Sequence, residues 1–252
     1  MSDDLSGKRV LITGGGQGLG YAMAHRFAGE GAHVHLADIR EDTAEVAGRL
    51  AAEVGAGSVV GTRVDVTRSE DVGEWVDGVE AVGGVDVLIN NAGVIRDGLL
   101  ENISDEDWRR VVDVSLTGAF TCSRAVVPGM KERRRGRIIS FSSMSWRGNY
   151  GQANYVAAKA GIVGLTRGLA LEVARYGITV NAIAPGLIET PMLASMDDRA
   201  RDKLIAKVPL RHTGDPADIA AAAAFLASEK ARYITGIVLD VDGGIGIGSS
   251  IR

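Results

Sequence analysis

Thr13–Gly20 reads TGGGQGLG, and what flanks it decides the fold. Before it stands the short apolar run Arg9–Thr13, and after it the pattern turns helical from Leu19 to Glu30. Strand, glycine loop and helix in that order make a phosphate cradle. The glycines let the backbone turn tightly and approach a pyrophosphate, and the helix N-terminus offers amide donors and a partial positive charge. The spacing departs from G-x-G-x-x-G; the relevant glycines are Gly14, Gly18 and Gly20, and with Gln17 and Leu19 they form the expected contact set. Glycines also serve ordinary turns, so the strand–loop–helix setting carries the reading.

The same alternation continues outward. Strand-like runs lie at Arg9–Thr13, His33–Asp38, Ser58–Val66, Val85–Asn90, Arg137–Ser143, Thr179–Ala184 and Ile237–Val241. Helical patterns lie between them, near Leu19–Glu30, Asp42–Val54, Asp71–Val82, Asp107–Lys131, Tyr155–Tyr176 and Pro216–Ser228. The strands are apolar nearly throughout, as expected when helices cover both faces of a parallel sheet. The sequence therefore predicts an α/β, doubly wound Rossmann-type parallel sheet of about seven strands, in a single domain over 1–252. Residues 186–214 are the least regular stretch, with Pro191, Pro209 and a short charged helix candidate at 197–207. An excursion of that kind beyond a strand end is where a substrate lid lies; a connection without a role is the alternative.

Composition narrows the class. Of 252 residues, 46% are hydrophobic and 24% charged, ordinary for a globular protein with a sizeable core. A net charge of -4 gives no electrostatic case for nucleic acid or an anionic membrane. The basic run Lys131–Arg137 (KERRRGR) is read as a solvated helix end favoured by the macrodipole. Cys122 is the one cysteine, which excludes an intrachain disulfide and a thiolate metal cluster. The polar start MSDDLSGK is not a signal peptide, and no apolar stretch approaches the ~20 residues of a membrane span. The expected setting is the reducing cytoplasm.

Asp38 ends the second strand, 18 residues beyond Gly20, where a ribose-binding acid is expected. A carboxylate there accepts hydrogen bonds from the adenosine 2′- and 3′-hydroxyls. It repels a 2′-phosphate by about 4 kcal/mol per charge pair at about 4 Å and moderate dielectric, less where solvent reaches. Gln17 rather than a basic residue precedes Gly18, and Arg40 is the one cation that could turn toward a phosphate. The expected cofactor is NAD(H), not NADP(H).

Further motifs follow in order at strand ends: Asp65–Val66, Asn90–Gly93 (NNAG), Tyr155-x-x-x-Lys159, Pro185–Gly186 and Asp242–Gly244. Together with TGGGQGLG they make the chain resemble the short-chain dehydrogenase/reductase family over nearly its whole length. Within it, NNAGVIRDGLL, GNYGQANYVAAKAGIVGLTR and GITVNAIAPGLIETPM look like the 3-oxoacyl-(acyl-carrier-protein) reductases and related hydroxyacyl dehydrogenases. The resemblance implies that Asp65 and Val66 contact the adenine and that Asn91 and Gly93 line the cofactor cleft. It implies that Ile188 and Thr190 contact the nicotinamide end, and that the chain assembles as a homotetramer.

Tyr155 and Lys159 are one helical turn apart, so both side chains emerge on one face. A carbonyl receiving hydride needs a proton, and an alcohol giving hydride up must lose one. Tyrosine does both only if its pKa falls from about 10 toward neutrality, which requires about 4 kcal/mol. An ammonium about 4 Å away supplies an interaction of that order, and an oxidised nicotinamide acts the same way. Lys159 is also expected to bind the cofactor ribose. A serine is expected at the end of the fifth strand to bond the substrate oxygen, and RIISFSSMSW offers two. The family's usual spacing back from Tyr155 gives Ser142; alignment along the strand gives Ser143. Loops absorb deletions more readily than strands, where a one-residue slip reverses every side chain, which favours Ser143. The family usually has asparagine at the site where Val112–Leu116 (VDVSL) has Ser115. Serine still bonds water in the relay behind the lysine, but with fewer groups and shorter reach.

The expected reaction is NAD(H)-dependent interconversion of a secondary alcohol and a ketone, in the oxidising direction. A 3-hydroxyacyl or 3-oxoacyl thioester is the favoured substrate class, and a small cyclic, aromatic or steroid alcohol the alternative. A nucleotide-binding regulatory subunit without turnover is the reading from another class; Ser115 favours it, and intact Tyr155, Lys159 and Ser143 oppose it. His33 and His35 share a strand face without a third ligand and read as packing and solvent contacts, not a metal site. Asp240–Gly243 is read as a strand-end turn rather than a calcium loop. Trp75 and Trp108 read as core or half-buried anchors, and Trp146 and Tyr150 as candidate pocket walls.

Overall fold

The computed structural model describes residues 5–55, 57–189, 193 and 197–247. Seven parallel strands form the sheet: β1 (Arg9–Thr13), β2 (His33–Asp38), β3 (Ser58–Arg63), β4 (Val87–Asn90), β5 (Gly136–Phe141), β6 (Ile178–Pro185) and β7 (Val238–Val241). Their order is β3-β2-β1-β4-β5-β6-β7. The chain builds outward from β1 to β3, then returns to lay β4 on the other side of β1. That reversal opens a crevice at the carboxyl ends of β1 and β4, the usual ligand position in an open α/β sheet.

Helices α1 (Gly18–Gly29), α2 (Thr43–Val54), α3 (Ser69–Glu80), α4 (Asp105–Val112), α5 (Gly118–Arg133), α6 (Ala153–Val173), α7 (Asp198–Ile205) and α8 (Pro216–Ala227) complete the frame. Met23, Phe27, Leu50 and Ile219 from α1, α2 and α8 meet Ile12 and Leu36 on one face of the sheet. Trp75, Val126, Met130 and Val173 from α3, α5 and α6 meet Leu11, Leu88 and Ile138 on the other. The central strands are buried on both faces, which is why they carry no polar alternation.

Four expectations need correction. β3 stops at Arg63 rather than Val66, because its partner β2 ends there with the pair Asp38↔Arg63. The helix expected over Asp107–Lys131 is α4 and α5 joined by a π-helical turn, Asp113–Thr117. Trp108 is 42% exposed, so of the core and half-buried readings the core one fails. The KERRRGR run is a solvated helix end only in part: α5 does end in it, with Lys131 and Arg133 in its last turn and Arg134 and Arg135 exposed, but Arg133 pairs with Glu80, Arg135 lies 3.1 Å from Asp86, and buried Arg137 lies 3.0 Å from Glu229. Those acids come from distant parts of the chain, so local sequence does not reveal the pairing.

Candidate active site

The glycine loop turns between β1 and α1 with Gly14 at φ 63° and Gly18 at φ 55°, where L side chains are strained. A Cβ on Gly20 would sit 2.1 Å from the Gly14 oxygen, so only glycine lets the helix start press against the loop. At the first turn of α1, Gln17 makes no side-chain cap and no acidic residue intrudes. Uncapped amides beside a close-approach loop fit a pyrophosphate. The loop is anchored from β4: Asn91 Nδ2 donates to the Thr13 and Gly14 oxygens at 3.0 Å each, and Thr13 Oγ1 accepts the Asn91 and Ala92 amides at 3.1 Å. Asn91 thus stands at the crevice, in a structural role of its own.

Asp38 faces the same loop, its Oδ2 accepting the Gly16 amide at 2.9 Å. Arg40 does not reach into the crevice as a free cation. It forks onto Asp42 at 2.6 and 2.8 Å and donates to Gln17 Oε1 at 3.1 Å. Asp65 accepts the amide and hydroxyl of Thr67, and Val66 is buried against the start of α5, where a Cβ on Gly118 would lie 2.8 Å from it. Ile188 is buried and bridges to Gly214, so residues 186–214 leave and return at neighbouring points. Glu189 clasps that excursion, bonding Arg201 at 2.7 Å and Thr213 at 3.1 Å. Thr190 lies outside the described residues.

Tyr155 and Lys159 lie in the first turns of α6, with Lys159 Nζ 5.5 Å from the phenol ring centroid. Lys159 is 3% exposed and donates to the Phe141 oxygen at 2.7 Å. The two serines face different ways. Ser142 Oγ is buried and donates to the Lys159 main-chain oxygen at 2.9 Å, whereas the Ser143 hydroxyl lies beside the Tyr155 phenol and lowers its pKa. Ser115 is buried in the π turn and its Oγ accepts the Val94 amide at 3.4 Å. A Cβ on Gly93 would lie 3.4 Å from both Ser115 Oγ and Lys159 Nζ, so these groups converge on one point of the NNAG turn.

The electrostatics depart from the expectation of a phenol lowered by the protein alone. Burial raises the Tyr155 pKa above its ordinary value, the Ser143 hydrogen bond lowers it, and the Asp97 charge raises it. Burial also lowers Lys159 to about 8. Desolvation acts on both groups, Lys159 being buried and Tyr155 partly so.

Sequence reasoning missed the polar frame behind Tyr155. Gln152 Nε2 donates to Asp97 at 2.9 Å, and Asn149 Nδ2 donates to Gln152 Oε1 at 2.8 Å. Fully buried Asn154 donates to the Arg96 oxygen at 2.9 Å and accepts the Tyr155 amide. The polar spacing RD…NYGQAN contains these residues, but only the fold brings its halves together. Tyr150 is 87% exposed and Trp146 partly buried; neither lines a described cavity. A cavity of about 190 Å³ begins directly after Ser143, at Met144, Ser145 and Arg147. A larger one of about 510 Å³, between β3 and α3, shares no lining residue with the catalytic group.

A phosphate cradle at the switch point, an acid after β2 and a Ser–Tyr–Lys cluster beside them define a nicotinamide-dependent oxidoreductase acting on CH–OH groups. The chain belongs to the short-chain dehydrogenase/reductase family. A family model described as Enoyl-(Acyl carrier protein) reductase matches residues 14–246. The chain is 43% identical to the 3-oxoacyl-[acyl-carrier-protein] reductase of Vibrio cholerae over 244 residues, 96% of this chain and 98% of that one. It is 44% identical to an uncharacterized oxidoreductase of Mycobacterium tuberculosis over 247 residues, 97% and 99% of the two chains. The crystal structure of levodione reductase superposes with a TM-score of 0.91 at 36% identity, covering 96% of this chain and 98% of that one.

Proposed function

We propose that the chain is an NAD(H)-dependent dehydrogenase that interconverts a secondary alcohol and a ketone, with 3-hydroxyacyl or 3-oxoacyl thioesters as its substrate class. The observation that carries the chemistry is the Ser143 hydroxyl beside the Tyr155 phenol, one helical turn from buried Lys159. Ser143 orients the substrate oxygen. Tyr155 gives that oxygen a proton during reduction and takes it back during oxidation. Lys159 stabilises the phenolate and holds the ribose, and Ser115 supplies a hydroxyl behind it for the proton's way out. A bound nicotinamide would supply or accept the hydride, and in its oxidised form would add a positive charge favouring the Tyr155 phenolate.

NAD(H) rather than NADP(H) is supported by the edge of the crevice. Asp38 presents a carboxylate fixed on Gly16, and Arg40 is already neutralised by Asp42. Gly14, Gln17, Gly18, Leu19 and Gly20 hold the pyrophosphate, Asp65 and Val66 the adenine, Asn91 and Gly93 the cleft, and Ile188 and Thr190 the nicotinamide end. An NAD cofactor suits alcohol oxidation as the working direction. The acyl-thioester class is supported by the 3-oxoacyl reductase among its relatives; levodione reductase, a dione enzyme by name, supports a small ketone as the second reading. A scan of NADH absorbance over acyl thioesters and simple ketones decides between them, and no turnover on any of these would leave the silent-subunit reading.

Two separate apolar faces support a homotetramer. Trp108, Phe120 and Leu171 are exposed on α4, α5 and α6, and Phe225, Tyr233 and Ile237 are exposed beside the edge strand β7. Two such surfaces, each pairing with its own copy about a two-fold axis, would close a dihedral tetramer. Light scattering gives the mass; a monomer would refute this.

A further inference from the structure

Directly after Ser143 the chain makes one 3-10 turn, Met144–Arg147, and then reverses at Gly148 with φ 124°. The Ser143 hydroxyl belongs to that turn, because Oγ accepts the Ser145 amide at 3.2 Å. On one side the segment is tied to α6 and its approach. Ser145 Oγ bonds Gln152 Oε1 at 3.2 Å, and the Gly98 amide donates to the Gly151 oxygen at 2.8 Å. On the other side it is tied by Arg147, whose Nη1 and Nη2 donate to the two carboxylate oxygens of Asp240 at 3.1 and 2.7 Å. Asp240 lies on β7, and β6 runs between β5 and β7, so this fork spans the carboxyl end of an intervening strand. The guanidinium also stacks 4.6 Å from the Trp146 ring centroid. It borders the cavity of about 190 Å³ together with Met144 and Ser145, with Ile245 and Gly246 from the C-terminal turn.

We propose that Arg147 is a positioning residue for Ser143: its fork on Asp240 fixes the turn in which the Ser143 hydroxyl is set. This inference rests on the reading of Ser143 as the group that orients the substrate oxygen. The side chains of Arg147 and Asp240 are 35% and 29% exposed, so an ordinary single-contact pair there would do little. A two-point fork backed by an aromatic face restricts orientation as well as distance. Orientation matters here because an ångström of misplacement costs up to about 10²-fold in rate.

Steady-state kinetics on Arg147→Met, Asp240→Asn and the charge-swapped pair Arg147→Asp/Asp240→Arg test this, with NADH affinity read by fluorescence. We expect each single variant to lower kcat about tenfold with KM and NADH affinity nearly unchanged, and the swap to recover much of the loss. Ser143→Ala is measured alongside. If it loses activity while Arg147→Met keeps full kcat, the positioning role is wrong and the serine assignment stands. If Ser143→Ala keeps full activity, the serine assignment fails and takes this inference with it. A swap no better than either single variant also overturns it. Should Arg147→Met fail to fold, Arg147→Lys keeps the charge without the fork: a lowered kcat supports the role, and an unchanged one contradicts it.

Discussion

Lys159 Nζ donates to the main-chain oxygen of Phe141 at 2.7 Å, so the helix that carries Tyr155 is pinned to the last residue of β5, two residues before Ser143. The amine is enclosed, and burial lowers it from 10.5 to about 8. Between those values the unfolded chain binds a proton at this site that the folded chain does not. Stability therefore rises with pH from about 8 to about 10.5, by about 3 kcal/mol from this group. Below pH 8 both states hold the proton, and the burial cost is present in full. We expect denaturant titrations of the ligand-free protein to show that climb from about pH 8 to 9, above which buried Cys122, raised from 9.0 to about 12, acts in the opposite sense, and Lys159→Met to flatten it. An equal climb in the variant would place its source elsewhere.

Ser142 and Ser143 are adjacent and do different things. Ser142→Ala removes a buried bond to the Lys159 carbonyl, so we expect a loss of about 1 kcal/mol in stability with kcat nearly kept. Ser143→Ala removes the hydroxyl beside Tyr155, and we expect a kcat loss of about 10²-fold with stability nearly kept. Kinetics and melting on the two variants check the assignment, and a reversed pattern would give the role to Ser142.

The proposed NAD preference rests on Asp38. Replacing it by alanine removes the charge facing a 2′-phosphate and leaves Arg40 beside Gln17. We expect Asp38→Ala to improve NADPH affinity at least about tenfold and to weaken NADH, in line with a charge-pair repulsion of a few kcal/mol. NADPH preferred by the unaltered protein, or no change in the variant, would contradict the NAD assignment.

Gly20 tests the cradle. Its missing Cβ would stand 2.1 Å from the Gly14 oxygen, so alanine must push the helix start off the loop. We expect Gly20→Ala to weaken NADH binding by more than about tenfold by fluorescence titration, while the sheet, whose core lies elsewhere, keeps its circular dichroism. Unchanged affinity would show that the loop does not cradle the cofactor.

The fold was legible because its signals are local. Apolar runs such as Val87–Asn90 and Gly136–Phe141 carry no alternation, and the glycine loop sits between a strand and a helix. What escaped is set by contact across the chain. β3 ends with its neighbour β2, which no residue in Ser58–Val66 announces. The π turn at Ser115 leaves the helical pattern of residues 107–131 intact, so periodicity cannot show it. That Tyr155 and Lys159 lie together was readable from their spacing. Their protonation was not, because desolvation by surrounding elements raises Tyr155 where an isolated Tyr–Lys pair would lower it. The frame of Asp97, Asn149, Gln152 and Asn154 joins residues up to 58 positions apart.

The most direct test of the account is single-turnover reduction of a 3-oxoacyl thioester with NADH, by the unaltered protein and by Tyr155→Phe. The phenyl ring keeps the packing and removes only the proton carrier. We expect the unaltered protein to consume NADH, and the variant to bind it equally well yet react at least about 10³-fold more slowly. A variant that oxidises NADH as fast as the unaltered protein would contradict Tyr155 as the group that moves the proton.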